Sequence, residues 1–193
     1  VDHMIAENKW ICPIKPTYGD NAYFSISKNE IVVPEKRQFK SGESFYSNLA
    51  HEMAHSTGAE NQLNRLKPSS FGSKEYAQEE LVAEMSAALV SQRYGMSKTL
   101  KEDSLPYLKN WLDSLKEEPA FIKTVLQDVK KASGMINQHI DKVQLELDKA
   151  QDVKQETANQ VTANYGSYDI PKWALPYIVN GDASGISDHE QEL

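Results

Sequence analysis

The residues with the clearest capacity for chemistry are His51 and His55, which stand on either side of Glu52 in the segment HEMAH. Residues four apart on a helix lie about 40° from each other around the axis, so both imidazoles can reach one ion. Glu52 then projects to the side of the pair, where it can accept a proton from a water molecule on that ion. The simpler interpretation is two ordinary histidines on a surface or core helix. We favour the first, because this spacing is typical of metal-dependent hydrolases.

A catalytic zinc site needs a third protein ligand and an open position for water. The candidates are a carboxylate or one of the other histidines, His3, His139 and His189. Glu80 and Glu84 stand four apart on the next predicted helix, hence on one face. We expect Glu80 to bind the ion and Glu84 to accept the N–H of a ligating histidine. The exchange of these two roles stays open, as does a simple acidic first turn that favours the helix dipole.

The histidine pair falls in a segment with the features of a helix over residues 42–57. Ser41 or Ser44 can cap its N-terminus, and Gly58 is a typical C-terminal stop. Its apolar residues recur on a separate face, which leaves the histidines free to point elsewhere. They are Phe45, Leu49 and Met53.

The two glutamates fall in a second predicted helix, which begins after the cap Ser73 and ends near Gly95. Upstream, residues 9–34 look extended and contain a hairpin with its turn at residues 28–29. The predicted fold is therefore α+β, with a small, mostly antiparallel sheet beside the histidine-bearing helix and a helical second half. We also expect residues 31–33 to form an edge strand that can pair with an extended substrate.

The second half of the chain has the pattern of several helices. Two of them are expected from Pro119 to about Ala132 and from Ile136 onward, with Gly134 as the break between them. The polar stretch 152–168 looks like a linker. We divide the chain into three parts. Residues 1–135 form a main domain, residues 136–168 a helix with a polar linker, and residues 169–193 a small C-terminal module.

Composition limits the classes of protein to which the chain can belong. Of its 193 residues, 39% are hydrophobic and 25% are charged, which excludes a mainly disordered chain. A formal charge of −7 argues against a chain that binds the phosphate backbone of nucleic acids by itself. The single cysteine, Cys12, excludes an internal disulfide and a cysteine-based zinc site, and a lone thiol favours the cytoplasm. No apolar run is long enough for a membrane span, and no signal peptide is recognisable.

Several motifs around the histidine pair resemble those of one known family. They are Tyr46 to Gly58 (YSNLAHEMAHSTG), Asn64-Arg65, Phe71-Gly72, Tyr76-Ala77 and Glu79 to Glu84 (EELVAE). Together they resemble the zincin-like C-terminal domain of ArdC-type antirestriction proteins, which are related to TraC-like primases of conjugative plasmids and to polyvalent phage proteins. The resemblance covers about residues 1–135. One departure is Ser56, where the family usually has a tryptophan, and it concerns the wall of the pocket rather than the metal.

The resemblance implies a zinc metallopeptidase with a zincin-like fold, in which zinc is bound by His51, His55 and Glu80. It favours Glu80 over Glu84 as the third ligand, with Glu52 as the base that deprotonates the attacking water. Manganese stays open as the ion, because two histidines and a carboxylate suit several divalent metals. The implied substrate is a protein or peptide, with host restriction proteins as candidates.

The family's part that binds single-stranded DNA lies N-terminal to this domain. Because the chain starts at Val1 rather than Met, we expect it to be a piece of a longer protein. Any contact with DNA would then occur through the missing part. Residues 169–193 resemble a small module found on proteins of mobile elements in gut Bacteroidetes.

Two other interpretations stay open. The domain could be a metal-stabilised module that binds host restriction proteins, or assists DNA protection by the missing part, without cutting anything. It could also be a scaffold that holds no metal. Three residues are further candidates for stabilising a tetrahedral intermediate. They are Tyr46, Tyr76 and His139.

Overall fold

The computed structural model describes residues 1–67, 69–70, 73–96 and 119–165. Within these ranges the chain forms a three-stranded sheet and four α-helices, so the predicted α+β class is confirmed. The elements are, in chain order, α1 (Asp2–Ala6), β1 (Ile14–Thr17), β2 (Tyr23–Ser25), β3 (Glu30–Pro34), a 3-10 turn (Lys36–Gln38), α2 (Gly42–Thr57), α3 (Lys74–Arg93) and α4 (Pro119–Tyr165).

The sheet is mixed, with β3 in the middle of the strand order β1-β3-β2. β2 and β3 form the predicted antiparallel hairpin, and Asn29 adopts a positive φ of 48° in the turn between them. β1 runs parallel to β3, with Ile14 opposite Ile31. The sheet is thus mixed rather than mostly antiparallel, and the prediction that residues 31–33 form an edge strand is wrong. The pairing of β3 with β1 is a long-range contact for which the local sequence carries no signal.

α2 carries the histidine pair and begins where the sequence predicts. The Ser41 hydroxyl accepts a hydrogen bond from the Ser44 amide at 3.1 Å, which satisfies one of the free N–H groups of the first turn. The predicted apolar face is buried, since Phe45, Leu49 and Met53 are each at most 2% exposed. α2 packs on β2 and β3. Burial of the apolar face sets the rotation of the helix and turns its histidines toward α3.

α2 ends at Thr57, and the glycine that follows occupies a crowded position. Gly58 has φ −82° and ψ −4°, a right-handed conformation that any residue can adopt. A Cβ at this position would lie 2.9 Å from Leu66 Cγ and 3.0 Å from Arg65 Nη2. The Gly58 carbonyl accepts hydrogen bonds from the amides of Arg65 (2.9 Å) and Leu66 (2.8 Å). A side chain at this position would therefore displace the side chains of Leu66 and Arg65.

α3 supplies the acidic residues and packs against α2. It begins after Ser73, whose hydroxyl accepts a hydrogen bond from the Tyr76 amide at 3.2 Å, as predicted. Another side of α3 joins α4 in an apolar cluster whose members are each at most 7% exposed: Ala77, Leu81, Val82, Val125, Val129 and Ala132. This cluster holds α3 in the position from which its glutamates reach α2.

α4 is longer than the sequence predicts. It continues through Gly134, so the predicted break is wrong, and the polar stretch from 152 to 165 belongs to the helix rather than to a linker. A glycine inside a helix costs about 1 kcal/mol. Ala132 and Ile136 on either side of it are fully buried, which offsets that cost. The polar residues that follow are mostly good helix formers, without glycine or proline up to Tyr165.

The chain divides into two compact units, Val1–Val143 and a second that starts at Gln144, within α4. The first unit contains the sheet, α1 to α3 and the first part of α4. In the second unit the side chains of residues 148–156 are exposed. The domain boundaries after residues 135 and 168 stay a prediction, and the module 169–193 lies outside the described residues. Among the described helices, none is both long and apolar enough to cross a lipid bilayer.

Candidate metal centre

Three side chains meet between α2 and α3. The Nε2 atoms of His51 and His55 face each other at 3.0 Å, with the two rings nearly perpendicular and their centroids 4.7 Å apart. The Glu80 carboxylate lies beside both rings, with Oε2 3.5 Å from His51 Nε2 and Oε1 3.5 Å from His55 Nε2. One ligand atom from each of the three residues lies within 4.8 Å of the others. The structure thus brings together the predicted ligands, while ligation itself stays a prediction.

This set of donors fits a divalent transition metal. Two imidazole nitrogens and one carboxylate are the protein ligands of many catalytic zinc sites, and manganese accepts the same donor types. Zinc binds such atoms at about 2.0–2.2 Å, so donors 3.0 and 3.5 Å apart are close enough to share one ion. Glu84 is not a member of this group of three, because its Oε1 faces His51 Nδ1 instead, at 3.3 Å. The geometry therefore favours Glu80 over Glu84 as the third ligand.

Each histidine also has a carboxylate on its Nδ1 side. His55 Nδ1 forms a hydrogen bond with Glu79 Oε1 at 3.0 Å. His51 Nδ1 lies 3.3 Å from Glu84 Oε1, without the alignment of a hydrogen bond. A carboxylate in this position favours a proton on Nδ1, so that Nε2 is the nitrogen that would bind an ion. The sequence predicted this role for Glu84 but gave no prediction for Glu79.

Arg65 holds Glu79 in place. Arg65 Nε lies 2.7 Å from Glu79 Oε2, and Arg65 Nη2 lies 2.8 Å from Oε1, which makes the ion pair bidentate. Nη2 also donates a hydrogen bond to the Ala54 carbonyl at 2.9 Å. The loop after α2 is thereby tied to the helix that carries the histidines. The only signal for this contact in the sequence was that both residues fall within the motifs of the family resemblance.

The electrostatics of the site favour a cation. Burial by itself lowers the pKa of His55, but hydrogen bonds to the Glu79 and Glu80 carboxylates outweigh it and raise the pKa to about 10. Burial raises the pKa of Glu80, yet hydrogen bonds with both histidines outweigh that effect and hold it far below its usual range. The pKa of Glu79 is also lowered, because Arg65 and His55 donate hydrogen bonds that outweigh burial. Ionised carboxylates therefore surround the histidine pair at neutral pH.

Glu52 lies on the same turn of α2 as the histidines and is only 3% exposed. Its charge contributes to the raised pKa of His55, so it acts on the site electrostatically. A glutamate at this place in the motif is the usual candidate for the base. That role stays a prediction.

Two candidates for stabilising an intermediate are engaged in other contacts. The Tyr46 hydroxyl donates to the Asp2 carboxylate at 2.8 Å and lies 2.5 Å from Lys36 Nζ. His139 packs edge-on against Trp10, with ring centroids 4.9 Å apart. These contacts connect α1 and the N-terminal segment to the rest of the first unit, and they favour a structural role for both residues.

Ser56, the departure from the family pattern, is 1% exposed. Its hydroxyl accepts a hydrogen bond from Trp10 Nε1 at 3.0 Å and donates one to the Met53 carbonyl at 2.7 Å. At this position the chain therefore has a small hydroxyl that is hydrogen-bonded to an indole of the N-terminal segment.

Comparison with known proteins assigns the family. The model of the zincin-like metallopeptidase family matches residues 2–127, which is more than half of the chain. The chain belongs to this family. A second model, for a domain of unknown function, matches residues 167–193, which overlap the predicted C-terminal module.

Two DNA primases TraC of Escherichia coli are among the relatives of this zincin-like chain. One is 31% identical over 135 residues, which cover 70% of this chain and 12% of the primase. The other is 33% identical over 113 residues, which cover 58% of this chain and 8% of the primase. The chain thus spans only a small part of these curated relatives.

A solved structure with a similar fold is the Mn(II)-bound antirestriction protein ArdC from plasmid R388. The TM-score is 0.63 at 27% sequence identity, and the similarity covers 69% of this chain and 49% of ArdC. The predicted resemblance to ArdC-type proteins and TraC-like primases is confirmed, and so is the zincin-like fold. A divalent metal in ArdC agrees with the donor set of His51, His55 and Glu80.

Proposed function

We propose that the chain is the zinc-dependent metallopeptidase domain of an ArdC-like antirestriction protein from a mobile genetic element. The observation that carries this proposal is the convergence of His51, His55 and Glu80 where α2 meets α3. Membership of the zincin-like metallopeptidase family supports the same class of reaction. Zinc is the proposed ion, and manganese is the second candidate because the similar ArdC structure contains it.

The side chains divide the work of such a site between them. A divalent ion held by His51, His55 and Glu80 supplies Lewis-acid polarisation of a peptide carbonyl and lowers the pKa of water. Glu52 accepts the proton of the attacking water and returns it to the leaving amine. Glu84 keeps the ring of His51 oriented from the Nδ1 side.

Glu52→Gln tests the proposal, with Glu43→Gln in the first turn of the same helix as the matched control. We expect Glu52→Gln to retain one equivalent of zinc while hydrolysis of denatured casein and of a quenched-fluorescence peptide library falls by about 10²–10⁴-fold. Glu43→Gln, which changes an exposed carboxylate, should behave like the wild type. A zinc-loaded wild type that cleaves neither substrate, or equal rates for wild type and Glu52→Gln, would contradict hydrolysis.

The second candidate function is a metal-stabilised module that binds a host protein without cutting it. The burial of Glu52 at 3% exposure favours it, because a general base must reach water and substrate. In that case Glu52→Gln would leave the antirestriction phenotype of the full-length protein unchanged, whereas His51→Ala would abolish it. The same pair of variants therefore separates an enzyme from a binding module.

We further propose that the substrates or partners are proteins or peptides in the cytoplasm, with host restriction proteins as the first to examine. Contact with DNA would occur through a part of the longer protein N-terminal to this chain. The formal charge of −7 supports this division, because a surface that grips phosphates by itself is basic.

A further inference from the structure

We propose that Arg65 and Glu79 form a clamp that sets the metal affinity of the site by fixing the ring of His55. Both are positioning residues, since neither belongs to the group of atoms that converge as ligands. The inference rests on the proposed metal site, but it does not depend on whether the domain hydrolyses peptides.

Glu79 serves two partners at once, and only a carboxylate can satisfy both. Its Oε1 accepts from His55 Nδ1 at 3.0 Å and from Arg65 Nη2 at 2.8 Å, while its Oε2 accepts from Arg65 Nε at 2.7 Å. Both oxygens must therefore act as acceptors. This arrangement favours a proton on His55 Nδ1, so Nε2, which faces His51 and Glu80, is the nitrogen that would exchange its proton for an ion.

An amide in place of this carboxylate would create a conflict. With its oxygen toward His55, its NH₂ group would meet the N–H of Arg65 Nε, and two donors repel each other. With its oxygen toward Arg65 Nε, its NH₂ group would face His55 Nδ1 and turn that nitrogen into an acceptor. The proton would then sit on Nε2, the atom that must be free to bind an ion. The presence of Arg65 therefore favours a carboxylate over an amide at residue 79.

Arg65 is anchored firmly enough to impose this choice. Its side chain is 8% exposed, and its guanidinium donates to the carbonyl of Ala54, next to His55 in the chain, at 2.9 Å. Its backbone amide donates to the Gly58 carbonyl at 2.9 Å, and the absence of a side chain at Gly58 makes room for Nη2. A planar guanidinium holds two carboxylate oxygens at once, which an ammonium group cannot do in the same way.

Another arginine, Arg93 at the end of α3, offers a matched control. Arg93 Nη2 lies 2.8 Å from Asp141 Oδ2, but both side chains are about half exposed. Exposed pairs of this kind contribute little to stability. Arg93→Met therefore removes an arginine–carboxylate pair between α3 and α4 without touching the histidines.

The experiment is a double-mutant cycle in zinc affinity, measured by competition with a chromophoric chelator, with the unfolding midpoint of the metal-free protein recorded for each variant. We expect Glu79→Gln to weaken zinc binding by about 10–100-fold. Arg65→Met should weaken it by about tenfold, and Arg93→Met should leave it unchanged. In the Arg65→Met background, Glu79→Gln should reduce the zinc affinity by less than about threefold, because the amide oxygen is then free to turn to His55.

The outcomes separate this inference from the proposed function. A zinc affinity of Glu79→Gln equal to that of the wild type, or fully additive losses in the double variant, would overturn the clamp and leave the peptidase proposal intact. A wild type that binds neither zinc nor manganese would overturn both. Glu79→Gln preserves size and shape, so this variant alone decides the matter where Arg65→Met does not fold.

Discussion

The two sides of α3 hold the molecule together in different ways. One side presents Glu79, Glu80 and Glu84 to the histidines of α2, and these carboxylates are between 3% and 23% exposed. The other side places Leu81 and Val82 in the apolar cluster shared with α4. Apolar burial is non-directional and roughly proportional to area, whereas a buried carboxylate destabilises the fold unless specific partners face it. The apolar side therefore stabilises the position of α3, while the other side carries the carboxylates that lie beside the histidines.

The largest effect is expected from removing a proposed ligand. His51→Ala should reduce zinc affinity by at least about a thousandfold, roughly 4 kcal/mol, because one of three donors is lost. Metal content by mass spectrometry after purification without chelators or affinity nickel measures this directly. His3→Ala on α1 is the control and should retain one equivalent of zinc. Full zinc content in His51→Ala would show that the polar side of α3 is not arranged for an ion.

Next comes a truncation on the apolar side. Leu81→Ala should lower the free energy of unfolding by about 3 kcal/mol, since it leaves a cavity among buried neighbours. Urea denaturation of the metal-free protein measures the loss, and the zinc affinity of the folded fraction should not change. Leu89→Ala, on the same helix but 47% exposed, should stay within about 0.5 kcal/mol of the wild type. A large loss of zinc affinity in Leu81→Ala would show that the apolar side and the polar side of α3 do not act independently.

A smaller effect on both properties is expected from Gly58→Ala, which adds no polar group and lies outside α3. The new Cβ would displace Arg65 and Leu66, at a cost of about 1–2 kcal/mol in unfolding free energy and a several-fold loss of zinc affinity. Thermal unfolding and chelator competition measure the two effects. Gly42→Ala is the matched control, because its Cβ would meet nothing closer than 3.7 Å. Unchanged zinc affinity in Gly58→Ala would argue against control of the site by the clamp.

The smallest effect concerns Asp2, far in sequence from the metal centre. Burial raises its pKa, but hydrogen bonds from Tyr46 and Lys36 together outweigh burial and lower the pKa below its usual value. A carboxyl group with a lower pKa in the folded state adds stability above its unfolded pKa and loses it as the pH falls through the folded one. Asp2→Asn should therefore cost at most about 0.5 kcal/mol at pH 7, because the pair is exposed, and nothing at strongly acidic pH.

A pH series of urea denaturation for Asp2→Asn and the wild type checks this prediction. Asp20→Asn, which replaces an exposed carboxylate, is the control. A difference between Asp2→Asn and the wild type that grew toward acidic pH would show that the sign is wrong.

The candidate site was predictable in large part, because much of it is encoded locally. The spacing of His51 and His55, the caps Ser41 and Ser73 and the apolar face of α2 all follow from hydrogen bonds and periodicity within one helix. Glu80 was reached by the same reasoning, from its position on the next helix. Glu79 was missed because nothing local distinguishes it from its neighbour, and its partner Arg65 stands 14 residues away.

By itself, then, the sequence determined where α2 and α3 begin, where α2 ends and how the two histidines are spaced on one helix, since these features depend on residues a few positions apart. Tertiary structure alone decided that β3 pairs on both sides, that α4 passes through Gly134, and that Arg65 reaches Glu79 past Gly58. Each of these outcomes depends on which distant surfaces are buried together. Burial and close approach are properties of the packed chain, and no spacing in the sequence records them.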